Sequence, residues 1–202
     1  VTNSPTWARS HPDENGPPDD LANYTNFVEQ LATQYVGRVA AYQIWDEPNI
    51  RLNWNCDRSL CDTSYFDMIS QAYAVIKAAD QDALVVTAGL APTRFNDRVN
   101  AISDLLFLDT LYYEGVASVS DAIAVHPGGA ANPPDAECCD PSPGIETHHD
   151  NDSFFFKSNL EDYRAIMVSY DDHETPLWVT KFGWGSNEGI TIASTDMNVF
   201  VT

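Results

Sequence analysis

Basic residues are the scarce ingredient of this sequence. Lysine and arginine number 10 against 30 aspartates and glutamates, giving a formal net charge of −20. A chain so acidic repels nucleic-acid phosphates and anionic lipid surfaces, and its expected partners are neutral or cationic. Long apolar runs are also missing: no stretch of about 18 apolar residues exists, so no membrane insertion by a helix is expected. The opening "VTNSPTW" has no basic segment followed by an apolar one, so a signal peptide, if the protein is made with one, is expected to be already absent. No glycine-rich phosphate loop follows any apolar run, which removes the usual sign of a nucleotide cofactor. No cofactor is expected.

Cysteine is sparse but even in number. Cys56 and Cys61 stand in "NWNCDRSLCDT", and the adjacent Cys138 and Cys139 in "DAECCDPSPG". Loop placement and acidic surroundings suggest disulfides and an extracellular or cell-surface, secreted protein, with both a local Cys56 to Cys61 bridge and cross-loop bridges allowed. The spacing matches no strong zinc pattern, and "THHDND" around His148 and His149 reads as a hydrated loop, so no metal site is assigned.

What is present is a core. The chain has 202 residues, 44% of them hydrophobic and 11% aromatic. That supports a single domain over residues 1–202, itself expected to be a fragment of a longer chain. Asp19 or Asp20 can cap a helix whose apolar face is Leu21, Tyr24, Phe27, Val28, Leu31 and Tyr35. The apolar "AAYQIW" then reads as a strand ended by "DEPN". The alternation repeats with a helix in "SYFDMISQAYAVIKAAD", a strand in "ALVVTAG", a helix in "SDLLFLDTLYYEG" stopped by Gly115, and a strand in "DAIAVHPGG". A helix over "SNLEDYRAIMVSY", with a Ser158 to Glu161 capping box, leads to the strand "PLWVTKFGW".

Apolar strands alternating with amphipathic helices imply an α/β fold with a parallel sheet, either doubly wound or a barrel. The absence of a phosphate loop and the collection of polar and aromatic residues at strand C-termini favour the barrel. The long connection from Pro127 to Ser153 lies on the same rim and suggests a binding mouth.

Two of these segments carry a resemblance. "YQIWDEPNI" resembles the acid/base strand of the clan A retaining glycoside hydrolases, with the pattern Trp-Asn-Glu-Pro-Asn. "PLWVTKFGWGS" resembles their nucleophile strand, with the pattern Thr-Glu-Phe-Gly-Trp. "ALVVTAGLAPT" and "DAIAVHPGG" fall between them as strands five and six would, and "VTNSPTWA" resembles the end of strand three. The resemblance therefore implies a parallel (β/α)8 TIM barrel present as a partial barrel, strands three to seven. Its open edges would be completed by missing chain segments or by a protein partner.

The resemblance places Glu47 at the acid/base position and Lys181 at the nucleophile position. A retaining hydrolase needs two carboxyl groups about 5–5.5 Å apart, and an ammonium cannot form the glycosyl ester. Lysine also favours the ionised form of a neighbouring Glu47, which the acid role opposes. Asp46 stands where the family has asparagine, and an ionised aspartate accepts hydrogen bonds only. The expectation is a carbohydrate-binding protein of this family with impaired hydrolysis. The alternatives are an active enzyme using another carboxylate such as Glu188, and a non-catalytic structural subunit of an extracellular assembly. Substrate-binding candidates are Trp7, Asp46, Asn49, Trp54, His126 and Trp184, because aromatic faces stack on sugar rings and polar groups fix their orientation. Trp178 and Trp45 read rather as core residues.

Overall fold

In a computed structural model, residues 1–12, 15–60, 64–130, 132–139 and 151–184 are described. The Pro-rich start makes one 3₁₀ turn, Thr6–Ala8. Helix α1 (Leu21–Gln34) starts where the Asp20 side chain accepts a hydrogen bond from the Ala22 amide. It buries Tyr24, Val28 and Ala32, a narrower stripe than expected, with Phe27 54% exposed. Strand β1 (Ala41–Gln43) follows. A short hairpin, β2 (Asn55–Cys56) and β3 (Ser59–Leu60), comes next. Its two turn residues, Asp57 and Arg58, both have positive φ, the twist that suits a two-residue hairpin. Helix α2 (Tyr65–Ala79) is capped by the Ser64 hydroxyl and packs along α1. Strand β4 (Leu84–Val86), helix α3 (Asp104–Glu114) and strand β5 (Ile123–Val125) continue the alternation. Gly115 ends α3 at φ 101°, a left-handed conformation that glycine adopts without steric cost. Helix α4 (Phe156–Ser169) begins two residues before Ser158, so the expected capping box falls inside the helix. The preceding 3₁₀ turn, Asp152–Phe154, is capped instead by Asn151. Strand β6 (Leu177–Val179) ends the described elements.

β1 pairs with β4 and β5 with β6, both in parallel, and Val86 bridges in parallel to Ala122. The strands thus lie side by side in the order β1, β4, β5, β6. This is an α/β arrangement of short parallel pairs consistent with part of a barrel, and no closed barrel forms among the described residues. The Val1 carbonyl accepts from the Trp45 amide, placing the start of the chain beside the end of β1.

The core lies between these strands and α1 to α4, with Val28, Ile44, Ile69, Ile76, Val85, Ile123, Tyr163 and Met167 all nearly inaccessible. Arg94, in the connection after β4, binds Asp104 at the start of α3 at 2.7 Å, Asp152 at 2.8 Å and Asp162 of α4 at 2.9 Å. One guanidinium therefore fastens that connection to two helices. Cys138 and Cys139 are bonded to each other, so no cross-loop bridge leaves this pair. Cys56 is disulfide-bonded as well, and Cys61 lies outside the described residues.

Candidate functional site

Beyond β1 the chain turns sharply. Trp45 and Glu47 take left-handed conformations, φ 72° and 47°, which are costly for residues with a Cβ and persist only where surroundings impose them. Here they do. The Trp45 indole donates to the Asn53 carbonyl at 3.1 Å and meets Tyr24 and Trp54 edge to face. The Glu47 amide is held by the Gly89 carbonyl at 3.0 Å. Asn49 is fully buried and fixes the loop by donating to the Ala91 and Ile102 carbonyls and accepting from the Ala91 amide. Asp46, between the two strained residues, and Glu47 itself both project toward the ends of β5 and β6.

His126, one residue past β5 and 4% exposed, lies against them. Its Nδ1 is 3.0 Å from Glu47 Oε1 and its Nε2 is 3.1 Å from Thr180 Oγ1. Thr180 Oγ1 in turn accepts from Gln43 Nε2 at 3.0 Å. A carboxylate accepts, so Nδ1 carries a proton and donates it to Glu47, while the Thr180 hydroxyl pairs with Nε2. The ring fits because residue 89 is glycine, where a Cβ would lie 2.1 Å from His126 Nε2.

Lys181 completes the cluster. Its Nζ donates to Glu47 Oε1 at 2.9 Å and to Asp46 Oδ2 at 3.3 Å. Strand alternation would send Thr180 and Lys181 to opposite faces. β6 stops at Val179, however, and both side chains reach the same cluster.

Burial alone would raise the Glu47 carboxyl, but the hydrogen bonds from His126 and Lys181 and the Lys181 charge outweigh it and hold Glu47 below its ordinary value. Burial pulls Lys181 down, while its bond to Glu47 and the charges of Glu47 and Asp46 carry it above its ordinary value. The pair is ionised at neutral pH. Glu47 is then an acceptor with no proton to give.

Asp46, Glu47 and His126 also bring ligand-type atoms within 4.8 Å of one another, a donor set that can hold a metal ion. The Lys181 ammonium already supplies positive charge to both carboxylates, and its repulsion disfavours a dication beside it.

The remaining sequence candidates divide. Trp7 is 74% exposed. Trp184 is partly exposed. Its indole donates to the Asn132 carbonyl at 2.8 Å, and its ring clusters with Phe156 and Phe182. Trp54 is 3% exposed, its ring packed edge to face with Trp45 and Tyr65. Trp54 thus packs in the core, its ring covered by its neighbours. Asn49 is likewise structural, because its side-chain amide is spent on backbone groups. Trp45 belongs to the core as expected, whereas Trp178 is 36% exposed. Glu188 lies outside the described residues. Gln43, Gly89 and Thr180 were missed by the sequence reading. Only Gln43, a polar residue inside an otherwise apolar strand, carried a visible signal.

No protein-family model and no curated protein matches the sequence. Solved structures do match. A family 39 glycoside hydrolase from Bacteroides cellulosilyticus WH2 superposes with a TM-score of 0.55 at 18% identity, over 83% of this chain and 31% of that one. A glucosidase from Croceicoccus marinus gives 0.57 at 18%, over 90% and 34%. A monomeric beta-xylosidase from Caulobacter crescentus gives 0.53 at 17%, over 84% and 32%. The chain shares its fold with glycoside hydrolases. It spans about a third of the length of each of these structures, and at such identity the likeness concerns the fold alone.

Proposed function

We propose that the protein binds carbohydrate at the cluster of Asp46, Glu47, His126 and Lys181 and does not hydrolyse it with retention. The observation that carries this reading is the contact of 2.9 Å between Lys181 Nζ and Glu47 Oε1. A retaining mechanism needs a protonated acid at the leaving group and a carboxylate nucleophile facing the anomeric carbon. Here the candidate acid is held ionised, and the group opposite it is a cation that repels an oxocarbenium-like centre. What remains suits binding: a polar cluster with fixed hydrogen bonds, followed in the chain, just after Lys181, by the exposed rings of Phe182 and Trp184. The glucosidase and the beta-xylosidase of the same fold support a glycoside as the ligand class, the beta-xylosidase a β-linked one. The disulfides at Cys56 and Cys138–Cys139 support a secreted protein.

The test uses the full-length protein, Lys181→Glu, and Lys181→Glu combined with Asp46→Asn, assayed on aryl β-glycosides, with Glu47→Gln as control. The unmodified protein is expected to give no turnover while binding β-linked oligosaccharides. Turnover by the unmodified protein that disappears in Glu47→Gln overturns the proposal.

A further inference from the structure

The cluster has more to say about its ligand. Among the described side chains, two carboxylates share the one lysine ammonium, inside a chain whose formal charge is −20. Asp46 is the less buried carboxylate, its side chain 35% exposed against 15% for Glu47. His126 Nε2 stands 3.7 Å from Asp46 Oδ1, beyond hydrogen-bond range. Among the described residues, Asp46 Oδ1 accepts no hydrogen bond, and Lys181 holds the other oxygen. A carboxylate so placed accepts from a donor and prefers a charged one. A neutral hydroxyl satisfies it less well, and an anionic sugar is repelled.

Lys181 shows that the acceptors suit an ammonium, because its Nζ already bonds to both carboxylates. It does so with a side chain 54% exposed, on chain that has left β6. Its long flexible stem can carry the charge outward when another cation arrives.

Resting on the carbohydrate-binding reading above, we propose that the site selects amino sugars: its ligand is a β-linked glycan bearing a free ammonium, which pairs with Asp46 and displaces Lys181. Lys181 is then an internal competitor that fills the ammonium position until a cationic glycan takes it. The general negative field raises the local concentration of such a glycan, and Asp46 gives the selection its position.

Three tetramers that differ mainly in the substituent at carbon 2 test this: the β-1,4-linked tetramer of glucosamine, its fully N-acetylated counterpart, and cellotetraose. Binding to the full-length protein is measured by calorimetry at a pH acidic enough to keep the amine protonated. The glucosamine tetramer is expected to bind about tenfold tighter than cellotetraose, as one charge-assisted hydrogen bond supplies. Asp46→Asn should abolish that preference, and Lys181→Met should enlarge it. Asp171→Asn, at an exposed position outside the cluster, controls for bulk charge and should leave the preference in place. Equal affinity for the three tetramers overturns the amino-sugar proposal while leaving the carbohydrate-binding reading intact. A preference reduced equally by Asp46→Asn and Asp171→Asn also overturns it, because attraction to the overall charge then explains the effect. Binding of none of the three overturns both.

Discussion

Replacing Gly89 by alanine tests how the site is held. The backbone there is outside the left-handed region, so alanine meets no conformational penalty and the effect is steric. The new methyl would lie 2.1 Å from His126 Nε2, 2.3 Å from Cδ2 and 2.7 Å from Cε1. Ordinary carbon contacts begin near 3.5 Å, so the ring must move by about 1 Å or more. Its hydrogen bonds to Glu47 and Thr180, at 3.0 and 3.1 Å, do not survive such a shift. Overpacking costs about 1–3 kcal/mol and each of the two lost hydrogen bonds about 1 kcal/mol, so Gly89→Ala is expected to lose about 3–5 kcal/mol in urea unfolding of the full-length protein. Glu47 also loses one of the bonds that hold its carboxyl low, so its titration, followed by carbon NMR of the side chain, should move upward. The double variant Gly89→Ala with His126→Ala should recover part of the lost stability, since the clash disappears with the ring. A variant with unchanged stability and unchanged Glu47 titration would refute the reasoning.

Two further outcomes follow from charge. Removing the cation in Arg94→Met leaves the buried Asp104 without its partner and should cost ~3 kcal/mol near neutral pH, the low end for breaking a buried pair. Burial already raises Asp104, and without Arg94 it rises further. Its ionised form is then what costs stability, so the penalty should shrink as pH falls through the folded value; a penalty that grows on acidification contradicts this. For the site pair, Glu47 is lowered, so its contribution is present above its unfolded value near 4.5 and is lost as pH falls through the lower folded value. Lys181 is raised, so its contribution is complete below about 10.5 and is lost as pH rises through the higher folded value. Lys181→Met should therefore flatten both ends of the pH profile of thermal stability. The change should be no more than about 1 kcal/mol, because solvent screens so exposed an ammonium. An unaltered profile would show that the pair adds nothing to the fold.

Much of the architecture could be read from residue patterns because helix caps and apolar runs act locally. Asp20, Ser64 and Gly115 mark boundaries that the structure keeps. Phe27 misled, because apolar periodicity shows which residues can face a core and not how wide the neighbouring surface is. The hairpin of β2 and β3 passed unseen, since an Asp-Arg turn lacks the glycine that usually announces positive φ. In the site, Asp46, Glu47, His126 and Lys181 were legible from strand-end motifs. Trp54 and Asn49 were misplaced because burial depends on packing across the fold: a tryptophan in a loop sequence and an asparagine beside a motif give no sign that neighbouring loops close over them. Thr180 and Gly89 were invisible for the related reason that their parts depend on a ring 54 and 37 positions away.

The parallel pairs β1–β4 and β5–β6 meet at a single bridge, Val86 to Ala122, and the charged cluster straddles that junction. Asp46 and Glu47 come from the first half of the chain, His126 and Lys181 from the second, with 134 positions between Glu47 and Lys181. Loop-closure entropy makes contacts of such span late events in folding. The two halves can each acquire native helices and strands while the cluster is still open, with Glu47 titrating as an ordinary carboxyl. At a pH near the ordinary glutamate value of 4.5, the protonation state of Glu47 is thus a built-in reporter of docking, separating in a refolding experiment the moment when secondary structure appears from the moment when the halves join.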